Sequence, residues 1–393
     1  MIDGIFEILI TNQILFNQIV PTMNKLKLNL ILATVVCLTG WGSIQNKLYA
    51  SEQPRGMHPE KQLDFVKKQI KNKKEPYLTA FKALIIKADS ALFVNQHAVE
   101  DFSIPGFYSD KEGHRKTSLA LQVDGFSAYS CALAYKLTGQ SKYAVKAIYF
   151  LNAWGSINKK YSQLDGSLVM SYSGTTMMMA AELLKSNKNW KSKDQEQFAW
   201  WTKNVFRHAA NSIRYRNNNS GDWSRFASLL ADVYLSDQDD FQKNVGMIKD
   251  ELFKQIAPDG HMVEEVKRQG NGIWYTYFSL APISASFWVI YNQTGENLYA
   301  LEQNGTSLKK GLDYLLYHNQ HPEDWTWFKN PVTGNENTAT GFWPANLLEA
   351  MNGIYHSKEF NAFVEPYRPI VYPRHDYAWT YPTLFPLSLT GYK

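Results

Sequence analysis

Cysteine is nearly missing from this chain: Cys37 and Cys131 are the two in 393 residues. Cys37 falls in a segment expected to be removed on maturation, so a disulfide within the mature domain is excluded. Metal-ligating spacing is missing too. No HExxH, HxxxH or CxxC run occurs, and His318 with His321, beside a proline, reads as a structural or capping pair. A Walker loop, a GxGxxG run and a GxSxG nucleophile elbow are all lacking, which argues against the common nucleotide-dependent and serine-nucleophile enzymes. No metal and no cofactor are therefore expected. Neither a Lys/Arg-rich block nor an RNP-type run nor zinc-knuckle spacing is found, so nucleic acid is disfavoured as a partner.

What is present is ordinary in bulk, with 45% apolar and 20% charged residues, as in a globular protein. Two features stand out. Aromatic residues are abundant, with 12 Trp, 23 Tyr and 21 Phe; most pack between helices, and the surplus suits a carbohydrate groove lined by flat rings. The net charge is +5 with a pI near 8.8, which favours an anionic partner such as an acidic polysaccharide.

The N-terminal run from Met23 places two lysines before an apolar stretch from Leu28 to about Leu38 and ends in LYA at Ala50. Residues 23–50 read as a secretory signal, and residues 1–22 as an extension ahead of it. The apolar run is too short to span a bilayer. A periplasmic or secreted protein follows, with no stable membrane insertion after cleavage and a single domain over 51–393.

From His58 onward strand signals are scarce and helical periodicity dominates. Helices are expected over about 60–73, 77–92, 118–137, 142–154, 172–185, 193–213, 223–235, 241–256, 273–292, 306–318 and 344–355. The decapeptide YKLTGQSKYA at 135–144 recurs as YNQTGENLYA at 291–300. In each, a glycine can end one helix in the left-handed conformation, and the next helix is expected three or four residues on. Repeated antiparallel hairpins point to an all-α solenoid or closed toroid, whose cleft lies where the inner helices begin. The last 30 residues, rich in proline and aromatics, cannot continue helices and are expected to wrap the body as an extended tail.

Polar chemistry gathers in two knots. One is RNNNSGDW, Arg216 to Trp223; the other runs from Asp259 to Phe278. Arg268 and Tyr275 in the second share a face if the segment is helical, and a turn at Gly270 and Gly272 would serve equally. Asn, Arg and Tyr together suit β-elimination on a uronic acid. Arg and Asn donors hold the sugar carboxylate as it becomes enediolate-like, and a tyrosine works as base and acid.

The spacing D-G-x4-E-x2-R-x6-Y, present as Asp259, Gly260, Glu265, Arg268 and Tyr275, resembles the signature of the alginate lyase superfamily. NNNSGDW is similar to that family's Asn-Asn-His-Ser-x-Trp motif, and YKLTGQSKYA followed by Trp154 resembles its early helical hairpin. The likeness extends from Phe107 to about Tyr355. It implies an (α/α) toroid and lyase action on a polyuronate, either polymannuronate as in alginate or the glucuronan of a related branch. Asn219, Arg268 and Tyr275 are the implied catalytic residues, and Asn218, Trp223, Glu265, Asn271, Trp274 and Tyr277 the surrounding substrate contacts. The motif departs from the pattern: Asn219 stands where the family has histidine, with one extra residue before Trp223, and an amide cannot accept a proton near neutral pH. Either Tyr275 handles the protons alone or a histidine, His114 or His208, enters the cleft.

Two other readings fit the same residues. A glycoside hydrolase would use carboxylates such as Asp222, Asp259 or Glu265, set about 5–10 Å apart across the bond. A non-catalytic acidic-glycan-binding protein would keep the groove without the chemistry.

Overall fold

The computed structural model describes residues 56–334, 343–373 and 378–392. The expected signal segment lies outside them. The helices are α1 (Glu60–Lys71), α2 (Tyr77–Ala91), α3 (Lys111–Thr138), α4 (Ser141–Ile157), α5 (Gly166–Leu184), α6 (Ser192–Trp201) and α7 (Arg207–Ile213). They continue with α8 (Asn219–Leu235), α9 (Gln238–Gln255), α10 (Gly272–Thr294), α11 (Leu308–Gln320), α12 (Ala345–Tyr355) and α13 (Lys358–Val364). A π-helical turn, Thr202–Phe206, joins α6 to α7.

Helices α3, α5, α8, α10 and α12 pack side by side in that order, and α2, α4, α6–α7, α9, α11 and α13 pack on their outer sides. This is the helical toroid the hairpin pattern implies. The inner helices are buried almost all round: along α5 and α10 small residues alternate with Met, Tyr, Phe and Trp and little polar face remains. With so little contrast between faces, periodicity underestimates their length. Helix α3 starts seven residues before expectation and α5 six before, and the Asp110 side chain caps α3 by accepting from Gly113 N at 2.8 Å. Helix α10 is long and apolar enough to cross a membrane, but 89% of its apolar window is buried, which marks a core helix.

Both repeat glycines cap their helices. Gly139 ends α3 at φ +71° with its N–H on Tyr135 O, and Gly295 ends α10 at φ +79° on Tyr291 O. Only the first copy leads straight into a helix. The second passes through a single 3-10 turn, Leu298–Ala300, and a two-residue hairpin, β3 (Glu302–Gln303) with β4 (Thr306–Ser307), before α11. One further ladder escaped the sequence: β1 (Asp101–Ser103) pairs in parallel with β2 (Lys160–Ser162), three residues each and too short to show periodicity.

The C-terminal tail wraps the body as expected. Ile370, Tyr372, Trp379, Tyr381, Leu384 and Phe385 are buried, and Trp379 Nε1 donates to Ser284 Oγ of α10 at 3.0 Å. At the far end of the inner helices, residues 56–58 fill the ring. Gly56 N meets Glu182 Oε1 near the end of α5, Trp288 Nε1 donates to Met57 O, and His58 contacts Tyr129. The opposite end, where the inner helices begin, carries the polar knots.

Candidate active site

The first turns of α3, α5, α8 and α10 converge, linked by side chains between them. Asp165, just before α5, accepts from Phe107 N at 2.8 Å and faces His114 Nε2 at 3.5 Å. Tyr108, just before α3, shares a hydrogen bond with the Tyr275 hydroxyl of α10 at 2.9 Å. Helix N-termini present unsatisfied N–H groups and a positive dipole end, so their convergence favours anions.

The turn ahead of α8 is set by packing. A Cβ on Gly221 would lie 1.8 Å from the Arg216 carbonyl oxygen, so only glycine lets the helix start this close to the chain feeding it. Arg225, 2% exposed, ties the turn together. Its guanidinium donates to Arg214 O at 2.7 Å, to Arg216 O at 3.1 Å and to Asp222 Oδ1 at 2.5 Å. The other Asp222 oxygen accepts from Ser279 of α10, so this buried carboxylate joins the two helices. Burial pushes Asp222 above the usual carboxylate range, and Arg225 opposes that.

Asn219 is the first residue of α8, and Asn218 caps it by accepting from Ser220 N at 3.1 Å. Glu265 takes up the orphan donor: Asn219 N donates to its Oε1 at 2.7 Å and Asn219 Nδ2 to its Oε2 at 2.8 Å. Glu265 is 1% exposed, and burial raises it to about 7 against the two Asn219 bonds, with Asp222 adding to the rise and Arg268 opposing it. Arg268 Nε lies 3.7 Å from Glu265 Oε2. The same guanidinium sits over the Tyr275 ring at 5.0 Å, a cation–π contact. Burial, then the bond from Tyr108, pushes the Tyr275 hydroxyl well above the usual phenol range, while Arg268 pulls it down.

Asn219, Glu265, Arg268 and Tyr275 therefore form one connected network across two helix starts. Arg268 lies in a run of turns, a 3-10 turn spans Gln269–Asn271, and α10 begins at Gly272. The turn, and not a continuous helix, brings arginine and phenol together.

Several sequence expectations change here. Trp223 and Tyr277 have no exposed surface; the first packs on Tyr172, Phe226 and Phe278, the second on Trp274, Trp343 and Tyr372. They build the wall from behind and do not meet a sugar. Glu265 is buried behind Asn219 and positions it, and Asn218 acts as a helix cap. His208 is exposed on α7 and bonded to Tyr161 at 3.0 Å, a bond that does not join the network. His114 is buried against Phe107 and Asp165. Burial pushes its imidazole below the usual range, Asp165 opposing, so it supports the segment carrying Tyr108. Trp274 is half-buried against Phe278 and Trp343, and Asn271 is exposed beside Arg268. Asp259 bonds His261 Nδ1 at 2.7 Å, Asp222 is consumed by Arg225 and Ser279, and Glu265 by Asn219, which leaves no free pair for glycoside hydrolysis among these three. Tyr108 went unnoticed in the sequence, 167 residues from Tyr275, with no local pattern to mark it.

The alginate lyase family profile matches residues 52–325. The chain belongs to the alginate lyase family. It is thus a polysaccharide lyase. Among solved structures, this family member resembles an alginate lyase from Bacteroides ovatus, with 19% identity, a TM-score of 0.65 and coverage of 82% of this chain and 98% of that one. It also resembles alginate lyase A1-III from Sphingomonas species A1, at 17% identity and a TM-score of 0.63, covering 76% and 87%. A tyrosine-to-phenylalanine variant of alginate lyase A1-III, complexed with tetrasaccharide, superposes at 16% identity and a TM-score of 0.62, covering 76% and 86%. At such identities the likeness carries the toroid fold. Curated proteins returned no match.

Proposed function

We propose that this lyase acts in the periplasm or outside the cell on a β-1,4-linked uronic acid polymer, polymannuronate as in alginate or the related glucuronan, and cleaves it by β-elimination. The observation that carries this reading is the unbroken run from Asn219 through Glu265 and Arg268 to Tyr275. Complexes of alginate lyase A1-III variants with tetrasaccharide support a glycan ligand for the fold.

In this scheme Arg268 binds the carboxylate of the sugar whose C5–H bond breaks, and Asn219, 2% exposed with one amide N–H on Glu265, offers only its second amide N–H from behind. Negative charge moves onto that carboxylate as the proton leaves, and fixed donors in a partly dry site stabilise it most at that moment. The electrons of the C5–H bond form the C4–C5 double bond, the C4–O bond breaks, and the leaving oxygen takes a proton. In a β-linked mannuronate or glucuronate the C5 proton and the leaving oxygen lie on one side, so a single phenol serves both ends. Tyr275 rests protonated, the form that donates to the leaving oxygen. To act first as base it must release that proton, and Tyr108, 74% exposed and bonded to it, is the route to water. Asn219 carries no proton; it only donates.

The test is incubation with polymannuronate, polyguluronate, mixed alginate and glucuronan, following the ultraviolet absorbance of the conjugated unsaturated uronate. Elimination alone makes that chromophore. New reducing ends without the absorbance would refute the proposal.

A further inference from the structure

We infer that Trp327 and Phe328 form an outlying subsite that stacks further sugar units of the same acidic polysaccharide, an inference resting on the lyase reading above. The segment after α11 is pinned at several points. Trp325 is buried under the start of α10, so close that a Cβ on Gly272 would lie 2.6 Å from its ring. Val332 N donates to Gly270 O, and Gly334 N to Asn319 Oδ1, both at 2.7 Å. Between these anchors Trp327 and Phe328 remain 44% and 43% exposed.

Their rings are held in place. Trp327 Nε1 donates to Tyr314 OH at 2.9 Å and the indole meets His261 with centroids 4.8 Å apart. Phe328 lies against Gly270, its ring edge 3.4 Å from where a Cβ would stand. Gly270 is two residues from Arg268, so a polymer leaving the Arg268–Tyr275 centre past this turn crosses Phe328 and then Trp327. Exposed Lys329 follows directly and suits the carboxylates such a polymer carries.

Two adjacent large rings, each a little under half exposed on an anchored segment, present apolar surface that a ligand can cover. Trp325 already supplies the buried anchor, so folding does not require them. The apolar face of a pyranose ring fits a flat aromatic, and rings fixed beforehand lose little entropy on binding.

Purified full-length Trp327→Ala and Phe328→Ala, with Trp327→Phe as a conservative control, are compared with wild type in two measurements. The first is retardation in gels containing polymannuronate or glucuronan, which needs no turnover. The second is the ratio of kcat/KM on polymer to that on a tetrasaccharide. Each alanine variant is expected to weaken polymer retention about tenfold, the scale of a stacked aromatic contact, and to lower the polymer-to-tetrasaccharide ratio, with Trp327→Phe recovering most of both. Equal retention by all variants, or no retention of wild type by either polymer, overturns the subsite. Retention that drops in the alanine variants of a protein showing no elimination would uphold the subsite while refuting the proposed reaction.

Discussion

One carboxylate holds Asn219 twice: Glu265 accepts from its backbone N–H at 2.7 Å and from its side-chain amide at 2.8 Å. The residue that departs from the family pattern is thereby oriented by a buried acid 46 positions away. Glu265 is a positioning residue, and its titration should be visible in both stability and rate.

Burial lifts Glu265 from 4.5 to about 7. Between those values the folded chain keeps a proton that the unfolded chain has released, so the Glu265 contribution to stability falls as pH rises through that window. Turnover should run the other way, because only the ionised carboxylate accepts from both Asn219 donors. Glu265→Gln is expected to lower kcat/KM about 10- to 100-fold, the scale of one or two buried hydrogen bonds, and to erase a rising limb near pH 7. A variant that keeps this limb would show that another group titrates there.

Tyr275→Phe should lower kcat about 100- to 10,000-fold, the range for loss of a general acid–base group, and leave polymer retention in gels intact. Tyr108→Phe, which removes the hydroxyl that passes the Tyr275 proton to water, should lower kcat on the order of 10- to 100-fold, less than Tyr275→Phe because Tyr275 is itself only partly buried. Rates near wild type in Tyr275→Phe would take the phenol out of the mechanism.

Arg268→Ala should reduce kcat/KM on the order of 100-fold, as expected for truncating one partner of a charged contact. Arg268→Lys should recover only part, since an ammonium keeps the charge and loses the planar fork. The wild-type KM should rise with salt more steeply than that of the alanine variant. Matching salt slopes would mean that Arg268 does not meet the substrate carboxylate.

Gly221→Ala places a methyl 1.8 Å from the Arg216 carbonyl oxygen. Forcing the two segments apart should cost about 2–3 kcal/mol and displace Asn219, lowering Tm and rate together. Gly246→Ala in α9, where a Cβ meets nothing within 4 Å, is the control and should leave Tm unchanged or higher. Equal Tm values for the two variants would contradict the tight turn.

The sequence alone determined whatever local chemistry and spacing encode. Gly139 and Gly295 end helices because a left-handed residue after a helical run is cheapest as glycine. The proline-rich tail had to leave the helical layers, and the spacing of Glu265, Arg268 and Tyr275 marked one functional stretch. Tertiary structure decided which side chains face the cleft. Trp223 and Tyr277 sit in the polar knots as Arg268 and Tyr275 do, yet the packing of α8 on α5 and α10 turns them inward, and Asn219 is only 2% exposed as well. The meeting of Tyr108 with Tyr275 depends on the side-by-side packing of α3, α5, α8 and α10, which brings together chain segments that share no local pattern. A helix whose faces are nearly all apolar carries no mark of which face will be covered, so orientation is settled only when its neighbours arrive.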